Sequence, residues 1–157
     1  MGSRDSSSSR NILIAVDESE NARRAVAYVA RLLQGVQREF RIALLHVIVE
    51  PDEDFFITPE EKDEWYARTS ESVNRVLEEY RKYLVDAGFP PEKVSVHSPI
   101  RYCPSIAECI LAEQEDMEFE TIVVGRKGIS RKEELLFGSV SSKLLKIAQD
   151  CAVWVIQ

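Results

Sequence analysis

Long apolar runs, positive charge and paired cysteines are scarce in this sequence, and each shortage excludes something. No apolar stretch approaches the roughly 20 residues that cross a bilayer, so a membrane is not an expected partner. Twenty lysines and arginines stand against 27 aspartates and glutamates, a formal net charge of −7. The phosphates of DNA, RNA or anionic lipid would be repelled, which argues against nucleic-acid binding. Three cysteines, Cys103, Cys109 and Cys151, are an odd number with no metal-ligand spacing. That predicts reduced thiols and a cytoplasmic location, with Cys109 and Cys151 filling the core. Of the two histidines, His46 lies in an apolar strand and is expected as a satisfied core residue, and His97 is given no role. No G-x4-GK[ST] loop, paired-histidine adenylyl-transfer motif or acidic triad for two metals is present. No G-x-G-x-x-G follows the first strand, which disfavours a dinucleotide dehydrogenase. Ser98-Pro99 ends the third strand without the aspartate a phosphoacceptor domain needs. No general base lines up with the serines, so no residue is assigned as catalytic.

What is present is a regular alternation of strand and helix signals. A chain of 157 residues suits one domain with a two-sided core. Residues 1–10 are serine-rich and read as a disordered leader or tag, leaving 11–157 as the domain. Five apolar runs read as buried strands: Asn11 to Val16, Arg41 to Val49, Val94 to Ser98, Glu120 to Val124 and Ala152 to Ile156. Ser19 can cap the first helix, and Thr58-Pro59 with Glu61 is a strong start for the longest one. Along that helix Tyr66, Thr69, Val73, Leu77, Tyr80 and Leu84 recur at spacings of three and four, until Gly88 and Pro90-Pro91 stop it. Pro104-Ser105 opens a third helix, with Ile106, Ile110 and Leu111 as its expected buried face. Phe55-Phe56, beyond the acidic run Asp52 to Asp54, are expected against the sheet edge or a partner subunit. The pattern predicts a single α/β domain with a five-stranded parallel sheet and helices on both faces, Rossmann-like in its winding.

Ligands bind such sheets outside the carboxyl ends of the strands, where the winding direction reverses. That rule points to Asp17 and to the loop from Gly125. Gly125 to Ser142 reads GRKGISRKEELLFGSVSS, a G-x2-G-x9-G-S pattern. Gly125 and Gly128 can adopt positive φ and let backbone approach a ligand closely. Gly138-Ser139 opens a helix, whose free N–H groups and dipole favour an anion. Arg126, Lys127, Arg131 and Lys132 add cations, and Ser139, Ser141 and Ser142 add hydroxyls. Taken singly these residues have ordinary structural uses, as turns, caps or a solvated charged face. Their clustering at the expected binding edge points to a phosphate or nucleotide.

The glycine pattern, with Val140 after Ser139, resembles the ATP-binding signature of universal stress proteins. Ala15-Val16-Asp17 with Ser19, Leu45-His46-Val47, Ile122 to Gly125 and Val153 to Ile156 add to a resemblance that covers residues 11 to 157. It implies an adenine nucleotide alpha hydrolase-like fold and a stress-response or signalling module that binds ATP, or AMP in its place, with Mg²⁺ held through the phosphates. By the same resemblance Ala15, Val16 and Asp17 line the adenosine end and Val47 offers backbone groups to adenine. Gly125, Arg126, Lys127, Gly128, Gly138, Ser139, Val140 and Ser141 would hold ribose and phosphates. It further implies a homodimer paired through the C-terminal strand 152–156, acting on a protein partner that the sequence does not identify. Alternatives of the same fold are a dimeric interaction module without nucleotide and a slow ATPase. Where relatives commonly carry a small Gly- or Asp-containing turn after the third strand, this chain has Ile100-Arg101-Tyr102-Cys103-Pro104.

Overall fold

The computed structural model describes residues 10–126 and 139–157. Its elements run β1 (Asn11–Ala15), α1 (Glu20–Leu32), β2 (Arg41–Leu45), β3 (Ile48–Val49), α2 (Pro59–Asp86), β4 (Val94–His97), β5 (Ile100–Arg101), α3 (Ile106–Met117), β6 (Thr121–Gly125), α4 (Ser139–Ile147) and β7 (Ala152–Ile156). The main sheet has the order β4-β2-β1-β6-β7, with every pairing parallel. Winding goes outward from β1 through β2 to β4, then returns to β6 on the other side. The reversal therefore falls between β1 and β6, where loops diverge to opposite faces and open a crevice.

Period-two alternation along β1 divides the core between the two faces. Ile12 and Ile14 point into one layer with Val26 and Val29 of α1 and Leu77 and Leu84 of α2. Leu13 points into the other, with Ala107 and Ile110 of α3 and Leu144 of α4. The helix ends carry the signals expected of them. Ser19 accepts from the N–H of Ala22 at 3.2 Å, and Thr58 accepts from that of Glu61 at 3.2 Å. At the end of α2, Gly88 has φ 116°; its N–H bonds the carbonyl of Val85 at 3.0 Å, and that of Phe89 bonds Leu84 at 3.1 Å. These paired bonds close the helix, and Phe89 folds back into the core beside Leu84.

Two expectations need correction. The long run Arg41 to Val49 is not one strand: β2 ends at Leu45, and β3 pairs with β5 in a separate two-stranded parallel sheet. Val47 and Ile48 remain buried on both sides of the change, so the apolar pattern carries no trace of it. Phe55 and Phe56 meet edge to face at 4.9 Å, and Phe56 packs on Trp65 of α2 at 5.8 Å. Cys103 and Cys109 form a disulfide, where the sequence predicted reduced thiols; only Cys151 is free. The turn from β5 into α3 brings their Cα atoms to 5.9 Å, a proximity that cysteine counting cannot reveal.

The third helix also turns differently from its expected face. Ala107, Cys109, Ile110 and Glu113 are buried, while Ile106 is exposed and Leu111 only half-buried. Glu113 can be buried because Arg101 of β5 forms an ion pair with it, and Arg101 also reaches Asp116 at 3.2 Å. The small sheet is thereby fastened to α3 by charge.

Candidate functional site

At the carboxyl ends of β1, β2 and β6 lies a cavity of about 350 Å³, lined by Ala15, Val16, Asp17, Val47, Gly125 and Val140 among others. This volume is at the lower end of the range, about 300–1,000 Å³, usual for small-molecule sites. Each of these residues is delivered by a different constraint. Ala15 ends β1, and the N–H of Val16 bonds the carbonyl of Leu45 at 2.9 Å, which carries the ladder one step past the strand. Val47 follows the break in the second strand. The N–H groups of His46 and Ile48 both donate toward the β4–β5 connection, to His97 at 3.0 Å and Pro99 at 2.8 Å.

Asp17 is held at both ends. Its carboxylate accepts from the N–H of Ser19 at 2.8 Å, and its carbonyl accepts from the Tyr80 hydroxyl at 2.7 Å. Asp17 and Ser19 together thus finish the start of α1, the structural use open to them in the sequence. Burial pushes the Tyr80 phenol above its ordinary value; Arg23 opposes the shift, and the nearby Asp17 charge adds to it. His46 is satisfied as expected, its Nδ1 2.8 Å from the carbonyl of Val16.

Gly125 has a reason different from the one expected. Its φ lies outside the left-handed region, and a Cβ added there would stand 2.5 Å from the carbonyl oxygen of Asn21. The glycine lets the first turn of α1 press against the end of β6. That contact positions Ser19 and Ala22, both in the cavity wall.

The remaining predicted residues divide three ways. Arg126 is exposed; its N–H continues the ladder to Ile156 at 2.8 Å and its guanidinium lies 3.4 Å from the Gln157 side chain. It does not line the cavity. Ser139 begins α4, and Ser141, within its first turn, is buried without lining the cavity. Lys127, Gly128 and Gly138 lie outside the described residues, so the geometry of the glycine loop does too.

Sequence reasoning missed the walls contributed by Trp65 and Thr69 of α2 and by Ile106 and Ile110 of α3. A signal existed for the first pair. A 28-residue helix is about 42 Å long, and a five-residue strand only about 17 Å. Half of α2 must therefore overhang the sheet. Since it enters from the carboxyl edge, the overhang is its N-terminal half, above the cavity. The burial agrees: its buried residues are Leu77, Tyr80 and Leu84, all in the second half.

Among the described residues no helix is long and apolar enough to cross a membrane, and no three His, Cys, Asp or Glu side chains could hold a metal ion. The sequence profile of the Universal stress protein family matches residues 8–157. Several solved structures share the fold. The hypothetical protein MJ0577 is 27% identical with a TM-score of 0.74, over 94% of this chain and 94% of that one. A universal stress protein in complex with cAMP is 17% identical with a TM-score of 0.67, over 94% and 97%. An Arabidopsis thaliana protein of the same family, with AMP bound, is 20% identical with a TM-score of 0.63, over 93% and 90%. No curated protein is similar enough to the chain to count as a match.

Proposed function

The chain belongs to the universal stress protein family, and from that premise we propose that it binds an adenine nucleotide, ATP foremost, in the cavity at the β1–β6 reversal. The observation that carries the proposal is the convergence of Ala15, Val16, Asp17, Val47, Gly125 and Val140 on one cavity at the position where doubly wound sheets hold ligands. Relatives solved with cAMP and AMP support the adenine part of it.

In this reading the base lies against Val16, Val47 and Trp65. The N–H groups of the residues flanking Val47 turn toward 97–99, and alternation along extended chain turns its own backbone the other way. Asp17 stands where a ribose hydroxyl would need an acceptor. The phosphates go to the glycine loop, with Gly125 at its start, Gly128, Gly138 and Ser139 to Ser141 along it, and Arg126 and Lys127 as its cations. Mg²⁺ would be held by phosphate oxygens, where it would neutralise their charge. Two copies pair through β7, a reading supported by its place at the sheet edge with an apolar sequence. The product is a dimeric stress-response or signalling module whose bound nucleotide biases its partners.

Thermal unfolding in ATP, AMP, GTP and inorganic triphosphate tests this. At a hundredfold excess over Kd a ligand adds about 2.7 kcal/mol, roughly 5–10 °C for a domain of this size. A rise with ATP and AMP, and none with GTP or triphosphate, is the expected result. No rise with either adenine nucleotide at millimolar concentration would overturn the proposal.

A further inference from the structure

A second cavity, about 910 Å³, lies between residues 50–62 and Tyr102. It shares no lining residue with the proposed nucleotide cavity and is built differently. Its apolar residues face solvent: Ile57 is 90% exposed, Tyr102 74% and the adjoining Phe55 64%. Large side chains exposed together in this way mark an interaction surface. The patch is also preformed. Phe55 and Phe56 pack edge to face, and Phe56 rests on Trp65. The Tyr66 hydroxyl donates to Glu50 at 2.9 Å, and the N–H of Ile57 donates to Glu61 at 3.0 Å. Little ordering would be needed on docking, which favours affinity.

Charge decides what kind of partner fits. From Glu50 to Glu64 the chain carries eight carboxylates and one cation, Lys62, which lies over the Tyr66 ring at 5.7 Å. Glu50, Asp52 and Glu53 line the cavity itself. A second copy of this chain is a poor occupant, because a two-fold contact would set the same acidic rim against itself. Anionic lipid and nucleic acid are repelled for the same reason.

We propose that this surface docks a basic amphipathic segment of another protein, with leucine or aromatic side chains on the Phe55–Ile57–Tyr102 patch and lysines or arginines paired to the acidic rim. Such a surface gives partner choice and association rate through charge, and residence through the apolar anchors. The proposal stands independently of nucleotide binding.

The test is fluorescence anisotropy of the full chain with a labelled two-heptad peptide of lysine, arginine and leucine, its leucines at helical spacing. Saturable binding is expected, with Kd rising about tenfold or more in Phe55→Ser/Ile57→Ser and in Asp52→Lys/Asp54→Lys. The control Glu78→Lys/Glu115→Lys makes the same change of charge at exposed sites away from the patch and should leave Kd within about twofold of wild type. All three variants alter exposed residues: the two charge variants should keep the wild-type melting profile, and loss of the Phe55–Phe56 contact should lower Tm by only a few degrees. An absence of saturable binding would overturn the proposal. So would an equal loss in the control variant, equal binding of a peptide with glutamate in place of its cations, or uptake of the protein by phosphatidylserine vesicles.

Discussion

Replacing Gly125 by alanine adds one methyl group where the end of β6 meets the backbone of α1. The new Cβ would lie 2.5 Å from the carbonyl oxygen and 2.6 Å from the carbonyl carbon of Asn21, both main-chain atoms of the first turn of α1. A flexible side chain could rotate away; a helix backbone cannot. Either α1 withdraws from β6 or β6 bends at its last residue, and overpacking of this kind costs about 1–3 kcal/mol. Against that, alanine restricts the unfolded chain and returns about 0.4–1 kcal/mol, because Gly125 is not in the left-handed region. The net loss expected is about 1–2 kcal/mol, a fall in Tm of roughly 2–8 °C for a domain of this size. Nucleotide affinity should fall with it, since withdrawal of Asn21 carries Ser19 and Ala22 out of the cavity wall. Urea unfolding gives the stability, with the slope m unchanged. A variant as stable as wild type, or more so, would refute the close-packing account of this glycine.

Tyr80→Phe removes the donor to the carbonyl of Asp17 and should cost about 1 kcal/mol near neutral pH. Burial raises the Tyr80 pKa above 10.0, so the phenol's contribution is fully present below that pH and is lost as pH rises through the folded value. The gap between wild type and variant should therefore narrow above pH 10.0, as measured by urea unfolding across the alkaline range. Reducing the Cys103–Cys109 bridge opens a short loop with a sequence separation of 6. Chain entropy gives about 2 kcal/mol for so short a loop, so dithiothreitol should lower Tm by roughly 4–8 °C, while a Cys103→Ser/Cys109→Ser variant should not respond. Thr58→Ala leaves the N–H of Glu61 without its acceptor and should destabilise by about 1 kcal/mol in urea unfolding, with the helix signal by circular dichroism little changed.

The central strands β1, β2 and β6 were legible because each is buried on both faces and so is written as a nearly uninterrupted apolar run. The same property concealed the end of β2. Val47 and Ile48 stay buried after the chain leaves the main sheet, so hydrophobicity does not mark the point where hydrogen-bond partners change. The caps at Ser19 and Thr58 were legible because a short polar side chain before an apolar period has few other uses there. For the site, fold logic and the glycine pattern located the edge of the sheet and the residues that end β1 and β6. They did not supply the roof. Trp65 lies one turn before Thr69 on the same face of α2, and its role follows from the length of the helix relative to the strands. Gly125 was singled out for positive φ and close approach to a ligand; its φ lies outside the left-handed region, and the close neighbour is the first turn of a helix of the same chain. The disulfide and the Arg101–Glu113 pair depend on the turn after β5, a segment with no regular pattern to read in its sequence.

The central claim is that an adenine nucleotide occupies the cavity between the end of β1 and the overhanging half of α2. Isothermal titration of ATP into wild type and Thr69→Phe measures it directly, since Thr69 is a half-buried residue of the cavity wall and a phenyl ring there would fill the space. The account predicts saturable heat with one site per chain in wild type, and affinity at least about tenfold weaker in the variant at unchanged Tm. No heat at millimolar ATP, or equal affinity in both proteins, would contradict it.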